Sequence, residues 1–284
     1  MLKTQFYLTI AGIALLCGLF FFVSLETTKS DFPHNETTQT SLNITDFIQK
    51  AKLKLPAAQL ENLSKLENNI SRGDIRSQKV QQYSGLADFW KDSAKGFLPY
   101  FYYLSEAAKL DNSEKNLTFA ARLILDSMRN EEVVATKSWE AETAASLFER
   151  ALLLDSANDD LRVGLGSCYV YGKGMIGDAT ETMKGIQQLL QVVRKDSTNM
   201  KAQMVLGIGG VISRQYSKAI DRLIKVVTTQ PNNLEAISWL ADGYASAGNK
   251  TEAIKWYEYS KKLVNNSGYS KEVDGRIKAI NEEH

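Results

Sequence analysis

The chain has 284 residues, with 34 Lys and Arg against 33 Asp and Glu, so its formal net charge is +1. A balanced chain lacks the positive excess that draws proteins onto nucleic acid. Two Cys (Cys17, Cys168) and two His (His34, His284) leave no disulfide framework and argue against a His-based zinc site or catalytic triad.

In chain order, residues 1–5 form a short flank carrying Lys3. Residues 6–25 (FYLTIAGIALLCGLFFFVSL) hold no charge and have the ~20-residue length that crosses a ~30 Å hydrocarbon core as a helix. They read as an uncleaved transmembrane signal-anchor helix, with a cleaved signal peptide as the rival; the apolar run exceeds the usual signal core and lacks a small-x-small site. Lys3 and the terminal amine against Lys29 place the N-terminus in the cytoplasm and the bulk of the chain outside. Residues 26–45 are rich in Thr, Ser and Asn and read as a flexible tether.

Residues 46–79 read as N-terminal helices, with helical patterns over 44–53 and 57–70 broken by Pro56. Leu60, Leu63 and Leu66 are expected to pack on the segment that begins near Val80. From there the sequence repeats. One unit starts at Leu234 (LEAISWLADGYASAGNKTEAIKWYEYSKKLV) and another at Met200, 34 residues earlier. Both place small-residue pairs (Leu240-Ala241, Leu206-Gly207) and later Ala253 and Ala219 at matching positions. Further units start at Asp159 (Leu165-Gly166, Tyr169), at Glu114 (Ala120-Ala121, Phe148) and near Val80 (Tyr83, Trp90). The units at Asp159 and Glu114 hold 7 and 11 extra residues, expected in the connections near 172–179 and 130–139. Residues 268–284 read as a capping helix, with Val273, Ile277 and Ile280 on one stripe.

The period and the positions together resemble tetratricopeptide repeats (TPR). The resemblance covers 80–267, as units 80–113, 114–158, 159–199, 200–233 and 234–267. It implies an all-α, right-handed α-solenoid of about five TPR-like helical hairpins, closed by the C-terminal capping helix and preceded by the one transmembrane helix. One unit cannot bury its apolar face alone, so stacking builds the core.

In such arrays the first helix of each unit lines a concave groove that holds a peptide or partner helix. The register assigns Val163, Ser167, Val170 and Tyr171 to that face in one unit. It assigns Lys201, Met204, Ile208, Val211 and Ile212 in the next, and Glu235, Ser238 and Asp242 in the last. The family's carboxylate clamps use several Lys, Arg and Asn, of which this set offers Lys201. The expected function is a non-enzymatic, membrane-tethered scaffold for a protein or peptide partner, resembling bacterial inner-membrane proteins with the repeat domain in the periplasm. No cofactor, metal or nucleic acid is expected. One alternative is a self-associating homodimer that uses the apolar face. A second is a nucleotide- or ligand-binding protein using Gly172-Lys173-Gly174-Met175-Ile176-Gly177, a G-x-G-x-x-G match; the repeat register instead makes this segment a connection between helices.

Overall fold

The computed structural model describes residues 41–70 and 76–282. The expected flank, membrane segment 6–25 and most of the tether lie outside the described residues. Among the described residues, no helix is long and apolar enough to cross a membrane.

The described residues form the helices α1 (Ile44–Lys52), α2 (Ala57–Ile70), α3 (Arg76–Asp88), α4 (Phe97–Asp111), α5 (Glu114–Arg129), α6 (Val134–Leu154), α7 (Asp159–Ser167), α8 (Ala179–Lys195), α9 (Met200–Ile212), α10 (Tyr216–Thr229), α11 (Leu234–Ser246), α12 (Lys250–Val264) and α13 (Ser267–Glu282). α3 continues into a π-helical turn, Phe89–Ser93, and α7 into another, Cys168–Gly174. Five hairpins follow one another: α3–α4, α5–α6, α7–α8, α9–α10 and α11–α12.

The starts of the first helices are written in the turns before them. Asn158, Asn199 and Asn233 are N-caps whose side chains accept from backbone N–H groups of the next turn, which satisfies donors that would otherwise stay unpaired. Asp155 and Asp196 brace the same turns by accepting from the N–H of Ala157 and Thr198.

The small residues set how closely the helices approach. A Cβ on Gly166 would lie 2.6 Å from Leu189 Cγ, and one on Gly207 would lie 2.6 Å from Leu223 Cγ. At those separations the partner helix must move away, so the Leu-Gly pattern fixes the packing distance. Phe148, Leu161, Leu189, Leu206 and Leu223 fill the core between hairpins.

The extra residues of two units do not sit in the connections, as expected, but in the helices. The segment 172–179 is no loop: α7 runs on through its π turn to Gly174, leaving only 175–178 between helices. Likewise only 130–133 connects α5 to α6, and α6 reaches 21 residues. A longer helix buries more side chains and leaves fewer backbone groups unpaired than a longer loop.

At the N-terminal end Leu63 is buried and Leu66 packs on the core, whereas Leu60 is exposed. At the other end α13 buries Val273 against Ala241, Ala253 and Tyr257, with Ile277 and Ile280 beside it.

Candidate functional site

The first helices of four successive hairpins, α5, α7, α9 and α11, line one groove. Its larger chamber, about 570 Å³, is bounded by Asp126, Arg129, Asn130, Tyr171, Met175, Glu235 and Trp239. An adjoining chamber of about 280 Å³ shares Asp126, Arg129 and Tyr171 and adds Arg122, Leu125, Asp160, Val163, Ser167, Lys201 and Met204.

Two electrostatic arrangements lie along it. In the first, Asp160 sits between two cations, with Arg122 at 4.0 Å and Lys201 at 3.8 Å. All three side chains are more than half exposed, so these long pairs contribute at most about 1 kcal/mol each. In the second, Arg129 on α5 pairs with Glu235 on α11, and its guanidinium lies 4.7 Å from the centre of the Tyr171 ring. The Tyr171 hydroxyl donates to the other Glu235 oxygen at 2.9 Å. Burial, then the Glu235 carboxylate, pushes the Tyr171 phenol above its ordinary value, so it stays a neutral donor. This trio joins the second hairpin to the fifth across the groove.

Local structure explains the trio. Arg129 is the last residue of the lengthened α5. Tyr171 lies in the π turn, where the extra residue shifts the phase of the helix face by about 100°. That turn needs Gly172 without a side chain, because a Cβ there would lie 2.3 Å from Ala141 Cβ and 2.9 Å from Met128 Sδ.

Of the residues expected on the groove face, Val163, Ser167, Tyr171, Lys201, Met204 and Glu235 line the two chambers. Val170, Ile208 and Val211 do not: all three are buried in the core. The π turn rotates Val170 inward, its Cγ2 lying 3.4 Å from where a Gly209 Cβ would stand. α9 is apolar on nearly every side and is enclosed by its neighbours, as such helices must be. Ile212 packs partly buried against the same core. Ser238 and Asp242 are taken by the capping helix: the Ser238 hydroxyl meets the Tyr269 hydroxyl at 3.3 Å, and Asp242 accepts from Arg276 at 3.0 Å and from the Tyr257 hydroxyl.

The register missed Arg122, Asp126, Arg129 and Asn130, so the groove holds more cations than Lys201 alone. Stepping the same register back one unit, from Ser167 and Tyr171, reaches Arg122 and Asp126. Nothing in a 34-residue pattern marks Arg129, which stands in a turn the pattern lacks. Trp239, which follows Ser238 by one residue, also lines the larger chamber.

The G-x-G-x-x-G match forms no phosphate loop. Gly172 and Gly174 are helical and buried, and Lys173 bonds to Ser138 at 2.7 Å and pairs with Glu142. Gly177 serves the turn, at φ +91°. Cys168 is fully buried, and burial pushes its thiol up, away from the reactive thiolate. Among the described residues, no group of three or more His, Cys, Asp or Glu could hold a metal ion.

No family model and no curated protein matches the sequence. Among solved structures the chain is similar to MamA, at 17% identity over 63% of this chain and 95% of MamA, with a TM-score of 0.46. It is also similar to YrrB, described as a TPR protein with an unusual peptide-binding site, at 14% identity over 74% of this chain and 97% of YrrB, with a TM-score of 0.45.

Proposed function

We propose that the chain is a non-enzymatic scaffold that holds an extended segment of a partner protein in the groove lined by α5, α7, α9 and α11. The observation that carries this reading is the state of the groove charges. Among the described residues, Arg122, Asp160 and Lys201 are exposed and their charges meet only at 3.8–4.0 Å, above apolar lining from Leu125, Val163 and Met204. A peptide of mixed charge exchanges those pairs at little cost while its apolar residues meet the lining. The Arg129–Tyr171–Glu235 trio holds the groove walls in place before the partner arrives. The uncharged stretch 6–25, preceded by Lys3, supports a membrane tether with the groove on the periplasmic side of a bacterial inner membrane.

The test places a photo-crosslinking amino acid at Met204 in the groove and, separately, at the exposed Lys225 of α10, in native membranes. A partner crosslinked from Met204 and absent from Lys225 supports the scaffold, and Arg122→Glu then abolishes that crosslink while helical circular dichroism is unchanged. Crosslinks from Met204 to a second copy of this chain alone replace the reading with the homodimer. Identical products from both positions refute the groove.

A further inference from the structure

We propose a second peptide site, a cleft between the second helices of the last two hairpins that takes an acidic segment carrying an apolar residue. These helices, α10 and α12, contribute nothing to the groove. The cleft has a volume of about 320 Å³ and is lined by Val227, Pro231, Lys255, Trp256, Tyr259 and Lys262. That is the lower end of the ~300–1,000 Å³ of ligand pockets, and it suits one or two side chains of a peptide.

Its walls are aromatic and fixed. Trp256 and Tyr259 meet edge to face, with ring centres 5.9 Å apart at 90°, and the Tyr259 hydroxyl is tied to the Pro231 carbonyl at 3.3 Å. The Trp256 indole N–H is buried and finds no acceptor among the described residues. Lys255, Tyr259 and Lys262 follow one stripe of α12, at spacings of four and three residues.

The charge of the lining chooses the occupant. It contains two cations and no carboxylate. Lys255 is shared with Glu252, at 3.1 Å and 3.2 Å, whereas Lys262 makes no ion pair among the described residues and is exposed. An apolar side chain laid against the rings, flanked by carboxylates that reach Lys255 and Lys262, satisfies both features. A lipid surface fits less well: the cleft is recessed and offers two cations, where stable attraction to anionic lipid takes a cluster of roughly 4–8.

The experiment titrates the full-length chain in detergent against a fluorescein-labelled peptide, Glu-Glu-Leu-Glu-Glu, followed by anisotropy. Saturable binding is expected that weakens with salt, falls about tenfold in Lys262→Glu, persists in Lys262→Arg and is indifferent to Met204→Glu. A Lys-Lys-Leu-Lys-Lys peptide is not bound. Absence of binding to the intact protein overturns the proposal, as does binding that Lys262→Glu leaves unchanged. Loss of binding with Met204→Glu instead moves the ligand to the groove and overturns it too. If phosphatidylserine vesicles bind through Lys262 and the acidic peptide does not, the cleft is a membrane contact and the proposal fails.

Discussion

The hairpins at 114–195 and those at 200–264 are built from one pattern but solve different problems. The later pair is regular: α9 and α11 have 13 residues each, and 213–215 and 247–249 form matching turns. The earlier pair has longer helices, a π turn and a buried carboxyl group. Arg129 and Tyr171, two of the groove's walls, stand in those longer ends, and Met175 caps the second of them. Repetition supplies a regular rail, and departure from it supplies part of the groove's lining. Perturbing each side in turn separates the two roles.

The largest effect is expected at Glu140, a buried acid in α6 with one oxygen unpartnered among the described residues and the other accepting from Ser127 at 2.9 Å. Burial, against the opposing pull of the Ser127 hydrogen bond and Lys137 and with the help of Glu131, pushes its carboxyl up from 4.5 to about 7. The folded chain therefore binds the proton more tightly than the unfolded chain. The associated stability is fully present below about pH 4.5 and is lost as pH rises toward 7, by about 3 kcal/mol. Urea unfolding between pH 5 and pH 8 should show this loss, and Glu140→Gln should flatten it and be the more stable protein at pH 8. An unchanged slope in the variant would mean that another group governs it. No regular hairpin contains a comparable group among the described residues.

Second is the π turn. Gly172→Ala drives a Cβ to 2.3 Å from Ala141 Cβ, so α6 and α7 must part, at a net loss of about 2 kcal/mol. Gly209→Ala in regular α9 meets Ile186 and Val170 at 3.4 Å, which small shifts relieve. It should be near neutral. Thermal melts compare the two, with roughly a 5 °C drop for the first. If both variants melt alike, the π turn is no tighter than an ordinary helix contact. The groove adds a second readout, because Tyr171 rides on the turn and its link to Glu235 should weaken with it.

The same contrast explains what could be read in advance. Helical hairpins were legible because the Leu-Gly and Leu-Ala pairs and the 34-residue interval recur along the chain and reinforce one another. The groove was legible where the helix phase held, as at Met204 and Glu235. It was lost at Val170, where one inserted residue turns the face, and at Ile208, where enclosure depends on helices far along the sequence. Ser238 and Asp242 kept the right phase, but a following helix covers them. Arg129 left no trace, since a repeat pattern cannot announce a residue that occurs once.

The smallest effect lies within the regular pair and tests how equivalent its members are. The turns after α9 and α11 share their hydrogen bonds: Gln215 N–H donates to the Gly210 carbonyl at 2.7 Å, and Asn249 N–H to that of Tyr244 at 2.9 Å. In each the middle residue is left-handed, Arg214 at φ +61° and Gly248 at φ +79°. Glycine adopts that conformation freely, whereas Arg crowds its Cβ against the carbonyl at a cost of about 1 kcal/mol. Nothing lies within 4 Å of a Cβ at Gly248, so backbone conformation alone sets the difference there. Arg214→Gly should therefore stabilise the chain by about 1 kcal/mol, and Gly248→Ala should destabilise it by a similar amount. Two opposite shifts of roughly 3 °C in the melting temperature would establish that the two turns are energetic as well as geometric copies. A loss at both positions would show instead that the Arg214 side chain does something its glycine counterpart cannot.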